Sequence, residues 1–443
     1  MAAAIRAAQA ETTRPSLVVC HTHIAYGSPN KQDSASSHGE PLGEEEVRLT
    51  KQNLGWPLEP LFWVPPEVRQ HFAGLQPGWA AAEDAWKAKF AVYKAAYPKE
   101  AALFEQVMAG ELPKDWDKAL PAFEAGKEVA TRSASGAILQ ALAEALPTLI
   151  GGAADLAPST RTHLAKCSDI SCGNYAGRNI HFGVREHAMG AILNGLSLHG
   201  GIIPYGATFL VFCDYMRPSI RLAAMMQQPV VYVFTHDSIF VGEDGPTHEP
   251  VEQLAALRTI PHLTVIRPAD ATETVAAWKL AIERRNGPTA LLLTRQNVPV
   301  LDRSKLASAE GLRRGAYVIS EAKEGKPELI LIATGSEVSI ALEAQAILAG
   351  QGIAARVVSM PSWELFEEQP PEYHEAVLPA AIKARLAIEA GVPLGWHKYV
   401  GDEGSVLAIE NRFGASAPYK VLAKEYGFTT ENVVKRALAV LRK

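Results

Sequence analysis

Six residues that could carry acid–base or metal chemistry are crowded into one short segment. They fall within fourteen residues, interrupted by three Gly or Pro residues: His236, Asp237, Glu243, Asp244, His248 and Glu249. Because no helix or strand pattern explains them as one solvated face, we interpret the segment as a functional loop. Metal binding is the competing interpretation of two His and several carboxylates. It is the weaker one, since the two His are not at a helical spacing and no third His or Cys lies nearby.

A second candidate is the charged triplet Arg185-Glu186-His187, which precedes a helical stretch rich in small residues. Glu186 at a helix start could simply interact with the helix dipole. The helix that follows, however, has little polar face. Charged residues that precede such an apolar helix are typical of charges that enter a buried interface. Buried carboxylates are either paired or have shifted pKa values, so Glu186 is a candidate site residue.

Three aromatic residues, Phe209, Phe212 and Tyr215, recur at every third position. This spacing predicts that their rings lie on one side of a helical or 3₁₀ turn. Taken alone, the pattern favours core packing over a platform on which another ring could stack.

Alternating apolar and amphipathic segments predict the framework that positions these residues. Their order indicates an α/β fold of parallel-sheet domains with right-handed crossovers. Strands are predicted at 149–150, 228–235, 263–268, 288–294, 329–334 and 355–359, and helices at 271–285 and 338–348. Functional residues on such sheets follow the carboxyl ends of the strands, where Asp155, Ser159, His236 and Arg295 stand.

The N-terminal part of the chain has a different pattern. Residues 1–10 predict the middle of a helix, residues 17–20 an apolar strand and residues 26–45 a long polar loop. Proline and aromatic residues interleave from 57 to 77, and residues 80–112 have helical periodicity. We expect a partly helical connector here.

Composition excludes several classes of protein. The 443 residues favour about three domains, and a net charge of −5 argues against a dedicated nucleic-acid binder. No apolar run approaches the roughly 20 residues that span a bilayer, so no membrane partner is expected. Four cysteines without a C-x-x-C pair argue against a disulfide scaffold or zinc ribbon and favour a reducing, cytoplasmic setting.

Seven ordered motifs resemble transketolase, the thiamine-diphosphate enzyme family of ketol transfer. They occupy residues 37–43, 152–159, 183–189, 206–212, 235–238, 242–248 and 294–297. The resemblance covers nearly the whole chain. It implies a thiamine-diphosphate-binding fold with helices on both faces of its sheet, followed by a transketolase C-terminal domain. The implied reaction is reversible transfer of a two-carbon ketol unit between sugar phosphates through a carbanion on the cofactor.

The resemblance also implies how this chain contacts the cofactor. Glu186 would lie against the pyrimidine ring, where its carboxyl promotes the imino tautomer that removes the C2 proton. Phe212 would stack on that ring, with Phe209 and Tyr215 lining the same pocket. Asp155 is implied to lie near the cofactor at a subunit interface.

The implied substrate contacts come from both parts of the chain. Four residues match the positions that hold the substrate phosphate: Arg132, Ser159, His236 and Arg295. The forked donors of Arg suit phosphate oxygens. Asp244 is implied to bind a substrate hydroxyl. His38 and His248 match histidines at the carbonyl or hydroxyl that exchanges a proton.

Three departures from the family pattern affect the cofactor site. His21 stands where the family usually has Lys, and Ala25 where it usually has Gly. The Gly-Asp-Gly…Asn stretch that binds Mg²⁺ and the pyrophosphate has no match in the chain. We therefore expect a transketolase lacking most of its pyrophosphate-binding domain, and we assign no metal ligand to this chain.

The expected division of the chain follows from this resemblance. Residues 1–60 would be a remnant of the pyrophosphate domain, 61–118 a connector, 119–310 a pyrimidine-binding domain and 311–443 the C-terminal domain. Thiamine diphosphate is the expected cofactor, with Mg²⁺ held by the missing part. The expected partners are sugar phosphates, a second copy in a homodimer and a separate N-terminal transketolase chain.

Two alternatives remain open. One is another thiamine-diphosphate enzyme, such as a deoxyxylulose-phosphate synthase or a dehydrogenase β subunit. The other is a non-catalytic truncated relative. The loop at 37–39 and the pair Arg132 and Arg295 favour transketolase over the first, and the retained Glu186, His38 and His248 speak against the second.

Overall fold

The computed structural model describes residues 1–323 and 325–442 and divides into two compact units, Met1–Pro98 and Lys99–Lys443. The first unit is helical. Its helices are α1 (Ala2–Ala10), α2 (Glu44–Asn53) and α3 (Pro66–Ala96). A fourth helix, α4 (Pro98–Met108), begins at the last residue of this unit. The helix expected at 1–10 is confirmed by α1. The helical periodicity expected at 80–112 belongs to two helices, α3 and α4.

The strand predicted at 17–20 is wrong. These residues have no regular structure, and Leu17 is 89% and Val19 68% exposed. A strand persists only where its backbone groups pair with a neighbour, and residues 1–98 contain no other strand. The polar loop expected at 26–45 is confirmed, apart from a 3₁₀ turn at Ala35–His38 and the start of α2 at Glu44.

The described residues of the second unit form two larger β-sheets and one two-stranded ladder, and the first of the larger sheets has six parallel strands. Its strands are β2 (Leu149–Ala153), β3 (Asn179–His181), β4 (Ile203–Phe209), β5 (Val231–Thr235), β6 (Thr264–Ile266) and β7 (Thr289–Leu293), and a two-residue ladder joins β1 (Glu128–Val129) to β8 (Val298–Pro299). The six strands lie in the order β3-β2-β4-β5-β7-β6. The predicted parallel sheet is confirmed.

Helices cover both faces of the six-stranded sheet. They are α5 (Thr131–Ala145), α6 (Ala157–Thr160), α7 (Glu186–His199), α8 (Cys213–Met225), α9 (Gln253–Arg258) and α10 (Ala271–Glu283). One apolar core lies under α5 and α10 and includes Leu139 and Trp278, whose Nε1 donates to Ser135 Oγ at 2.8 Å. A second core, under α7 and α8, includes Leu193 and Ile220. The predicted layers of helices on both faces are confirmed.

The second sheet has five strands, β9 (Tyr317–Ser320), β10 (Leu329–Ala333), β11 (Ala355–Ser359), β12 (Arg385–Ile388) and β13 (Ser405–Leu407). Their order is β13-β12-β10-β11-β9, and only β9 runs antiparallel to its neighbour. The helices around it are α11 (Glu337–Gly350), α12 (Trp363–Glu367), α13 (Pro371–Val377), α14 (His397–Val400), α15 (Tyr419–Glu425) and α16 (Thr430–Leu441).

A fully buried arginine links the two sheets. Arg267 Nε donates to Asp237 Oδ2 at 2.8 Å, its Nη1 donates to Thr334 O at 3.0 Å, and its guanidinium pairs with Glu337. Burial disfavours the charge of Arg267, but Glu337 and Asp237 outweigh this effect and raise its pKa above the usual value. The loop after β5 is therefore tied to the start of α11.

Two further observations concern the described residues as a set. Among them, no helix combines the length and the apolar character needed to cross a lipid bilayer. All four cysteines are free thiols.

Candidate active site

The carboxyl ends of neighbouring strands bring many of the predicted site residues of the second unit to one edge of the sheet. Strands β2, β4, β5 and β7 are adjacent and parallel, so the segments that follow them meet there. Asp155 and His236 both have a left-handed backbone, with φ of 61° at each. Such a conformation in a residue with a side chain is uncommon and marks functional turns.

The three aromatic residues form a row that runs from the core to the surface. The ring centroids of Phe209 and Phe212 are 5.7 Å apart, and those of Phe212 and Tyr215 are 6.1 Å apart. Phe209 is buried, whereas Tyr215 is 66% exposed. The prediction that these rings share one side is confirmed. Because Tyr215 is not covered, the row is more than a part of the core.

His236 lies beside this row as a neutral imidazole. Its ring stacks on Phe209 with centroids 3.7 Å apart, and its Nδ1 is 2.8 Å from Thr235 Oγ1. Burial, followed by the charges of Arg132 and Arg295, lowers the pKa of His236 to about 3. At neutral pH the ring is uncharged. Its N–H group can therefore donate a hydrogen bond to an anion, while the ring itself does not take up a proton.

Arg132 and Arg295 form a cationic patch next to His236. Arg132 Nη1 donates to Ser159 O at 2.7 Å, while its buried Nε has no hydrogen-bond partner. Burial lowers the pKa of Arg132, and the charges of Arg161 and Arg295 add to this effect. Arg295 Nη1 is 3.9 Å from Glu243 Oε2. Clustered cations with an unused buried donor suit an anion such as a phosphate.

Glu186 is the first residue of α7 and is buried. No hydrogen-bond or ion-pair partner of its carboxyl is present among residues 1–323 and 325–442. A buried acceptor at a helix start without a hydrogen-bond or ion-pair partner is available to a ligand group that carries a donor.

The exposed sides of α7 and α8 carry several apolar residues. Ile192 and Leu198 on α7, and Leu222 and Met225 on α8, are each 46–57% exposed. The two helices pack against each other through buried residues such as Met189 and Met216. Their outer surfaces thus expose apolar residues, which on α8 are interspersed with the charged residues Asp214, Arg217 and Arg221.

Asp155 is exposed at the mouth of a cavity of about 640 Å³, whose lining also includes His181 and Arg185. The histidines at this cavity are held by one carboxylate, since His181 Nε2 and His163 Nε2 lie 3.1 and 3.3 Å from Asp169 oxygens. The contact with His181, and to a smaller extent that with His163, lowers the pKa of Asp169 below its usual value.

Asp244 and His248 lie on the loop that follows β5. Asp244 is exposed. His248 Nδ1 is 2.9 Å from Thr247 Oγ1, and its ring centroid is 5.6 Å from that of Phe212. The structure therefore brings the loop and the aromatic row together. His38 lies in the first unit, where its side chain is exposed on the 3₁₀ turn.

No group of three or more His, Cys, Asp or Glu side chains in the described part of the chain could hold a metal ion. The acidic loop at 236–249 in particular does not assemble such a group. Its side chains instead contact aromatic rings, arginines and backbone.

The structure places around this site two residues to which the sequence reasoning gave no role, and a third, Glu249, which belonged to the predicted functional loop without an individual role. Arg161 adds charge next to Arg132, and Arg267 anchors Asp237. Glu249 is buried directly after His248. The position of Arg267 directly after the apolar stretch 263–266 was a signal that could have identified it, because a charge there needs a buried partner.

Sequence profiles of three domain families match the chain. The "Transketolase, thiamine diphosphate binding domain" profile matches residues 1–113, the pyrimidine binding domain profile 127–300 and the "Transketolase-like TK C-terminal domain" profile 315–429. The first match extends through most of the segment that we assigned to a connector. The chain thus carries sequence of the thiamine diphosphate binding domain, and the absence of most of that domain stays a prediction.

Several transketolases resemble the chain along its whole length. The Geobacillus stearothermophilus transketolase is 53% identical over 100% of this chain, which spans 66% of that relative. A transketolase structure from Leishmania mexicana is 44% identical with a TM-score of 0.90, and the match covers 99% of this chain and 64% of that one. A chain described as "Split gene transketolase, inactive beta4 tetramer" is 28% identical with a TM-score of 0.58, over 71% of this chain and 99% of that one.

A chloroplastic relative is matched over more of its length. The transketolase of Craterostigma plantagineum is 49% identical, and the match covers 98% of this chain and 83% of the relative. Identity of this level over most of both sequences leaves one conclusion. The chain belongs to the transketolase family.

Proposed function

We propose that the chain acts in a transketolase, which transfers a two-carbon ketol unit reversibly between sugar phosphates. Because the chain spans about two thirds of the Geobacillus relative, this activity is a proposal for the chain and its partners together. One observation carries it: the cationic group of Arg132, Arg295 and neutral His236 adjoins the aromatic row at Phe209. A site with an anion end and a flat apolar end suits a phosphorylated substrate beside a ring cofactor.

The phosphate end is assigned to four residues. Arg132 and Arg295 supply charge and forked donors, and Ser159 and His236 supply uncharged polar groups. The unused Nε of Arg132 supports this role. Asp244 would accept a hydrogen bond from a substrate hydroxyl and so discriminate between sugar stereoisomers. His248 and His38 would move a proton at the substrate carbonyl or hydroxyl oxygen.

The aromatic row and Glu186 fit the pyrimidine part of thiamine diphosphate. Phe212 would stack on the ring between Phe209 and Tyr215. The carboxyl of Glu186, which has no hydrogen-bond partner, would accept a hydrogen bond from a protonated ring nitrogen. When bound, the cofactor supplies stabilisation of the negative charge that develops on the substrate carbon. Asp155, at the mouth of its cavity, is assigned to the border of this site.

A homodimer is the proposed assembly, with the apolar surface of α7 and α8 as its interface. Exposed apolar patches of this kind mark contacts between proteins, and Glu186 starts the same helix. A cofactor clamped between subunits would then lie at this interface. We further propose that Mg²⁺ and pyrophosphate ligands come from a separate N-terminal chain, which the match to a split-gene transketolase supports.

The remaining proposals concern the division of the chain and its compartment. We divide it at 1–60, 61–118, 119–310 and 311–443, and the profile matches at 127–300 and 315–429 support the last two segments. A cytoplasmic location is proposed from the few, unpaired cysteines.

A donor assay tests the proposed reaction. The chain, alone and mixed with a separately expressed N-terminal transketolase domain, is given thiamine diphosphate, Mg²⁺ and an aldose phosphate acceptor. We expect transfer from xylulose 5-phosphate and none from pyruvate. Use of pyruvate would identify a deoxyxylulose-phosphate synthase instead, and no reaction in either format would identify a non-catalytic relative.

A further inference from the structure

The loop that carries His248 is in contact with a second loop from the C-terminal part of the chain. Ser416 Oγ donates to Glu243 O at 2.7 Å. A Cβ added at Gly245 would lie 3.3 Å from Ser416 Cβ, and one at Gly242 would lie 3.5 Å from Ala417 O. Residues 242–249 thus lie against residues 414–417 along their length.

Glu249 occupies the end of this contact. The residue is 2% exposed, and neither carboxyl oxygen makes a hydrogen bond of normal geometry. A Cβ at Gly414 would lie only 1.6 Å from Glu249 Oε2, so only glycine allows the backbone to pass the carboxyl this closely. The carboxyl is therefore enclosed by the C-terminal loop.

The groups around Glu249 favour its neutral form. Burial raises the pKa of Glu249 to about 7; the nearby amides of Ala415 and Gly242 oppose this rise, and Asp244 adds to it. These amides are close enough to favour the charge but lack the alignment of full hydrogen bonds. The C-terminal part contributes Tyr426, whose pKa is raised by burial and by Glu249, and Arg412, which stacks 3.7 Å from the Tyr426 ring centroid.

We propose that Glu249 is a positioning residue, which in its neutral form lets residues 414–417 hold the His248 segment in place. Ionisation would leave an unpaired charge inside the contact, so the segment would open more often to hydrate the carboxylate. The C-terminal part of the chain would in this way act on the active-site loop. The effect of Glu249 on catalysis rests on the proposed function, whereas the contact between the two loops does not depend on it.

Hydrogen–deuterium exchange of the full chain tests the contact without requiring activity. Exchange of residues 242–249 and 414–417 is followed from pH 5.5 to 8 and corrected for the intrinsic pH dependence of amide exchange. In the wild type we expect local opening to rise by roughly 30-fold over this range, because a pKa of about 7 in the closed state returns towards that of a solvated Glu on opening. In Glu249→Gln we expect no such rise.

Two further variants make the result specific. Gly414→Ala forces the carboxyl of Glu249 out of its enclosure. Amide exchange of the two contacting segments in this variant should therefore be raised already at pH 5.5. Glu410→Gln removes an exposed carboxyl of the same C-terminal segment and should keep the wild-type pH dependence. An unchanged profile in Glu249→Gln, or wild-type exchange in Gly414→Ala, would overturn the proposal. Failure of the proposed function would instead show as absent ketol transfer with this exchange pattern intact.

Discussion

The ring of His236 stacks on that of Phe209 with centroids 3.7 Å apart. Phe209 ends β4 and His236 follows β5, so the pairing of two neighbouring parallel strands creates the contact. It joins the residue assigned to the substrate phosphate to the row assigned to the cofactor ring. The distance between these two functions is therefore fixed by the sheet.

His236 should remain neutral across the physiological pH range. Burial and the nearby arginines lower its pKa to about 3, so between about pH 3 and 6.5 the unfolded chain binds a proton that the folded chain does not. NMR titration of the His236 ring, assigned with a His236→Gln variant, should show no protonation between pH 8 and 5. A midpoint near 6.5 would contradict the buried, cationic environment. The contribution of His236 to the free energy of unfolding should fall as the pH drops below about 6.5.

Arg132→Ala should weaken the binding of sugar phosphates about 10- to 100-fold, because a charge-assisted hydrogen bond contributes about 1.5–3 kcal/mol. Isothermal titration with xylulose 5-phosphate measures the change. Arg313→Ala is the control, because Arg313 pairs with Glu283 on the surface. Equal affinity in the wild type and Arg132→Ala would remove Arg132 from the phosphate site.

Arg267→Met should lower the free energy of unfolding by about 3–5 kcal/mol, since it leaves Asp237 and Glu337 buried without their cation. Urea unfolding measures this loss. Arg313→Met breaks a partly exposed ion pair and should cost at most about 1 kcal/mol. Similar losses in both variants would mean that the buried bridge adds nothing to the stability of the unit.

Ile192→Asp should dissociate the proposed dimer, because it places a charge in the middle of the apolar surface of α7 and α8. Sedimentation of the wild type at micromolar concentration should give a dimer and that of the variant a monomer. Ile347→Asp changes a comparably exposed apolar residue on α11 and should leave the dimer intact. A monomeric wild type, or a dimeric Ile192→Asp, would contradict the assigned interface.

Local patterns were sufficient to predict β2, β5, β6, β7, β10 and β11, because apolar runs between Gly and Pro residues mark buried strands. Strands β3, β4, β9, β12 and β13 were not predicted. Glycine itself misled the prediction at β2, which was expected to end at residue 150 but continues to Ala153. A Cβ at Gly152 would lie 1.9 Å from Ile180 O, so glycine is needed there for close approach to the next strand.

Contacts between distant segments could not be predicted. Glu337 follows Arg267 by 70 residues, and Gly414 passes Glu249 from another domain. Neither pairing leaves a periodic signal, since each depends on how the two sheets pack. The site residues themselves were predicted from a resemblance, whereas the row of Phe209, Phe212 and Tyr215 alone favoured core packing.

We propose that this chain supplies the Glu186 side of a transketolase active site. The most direct test compares ketol transfer from xylulose 5-phosphate by the wild type and by Glu186→Ala, each mixed with a separately expressed N-terminal domain, thiamine diphosphate and Mg²⁺. We expect the wild type to transfer the ketol unit and the variant to be at least about 100-fold slower, the usual scale for a general acid–base group. Equal rates in the two proteins would contradict the claim.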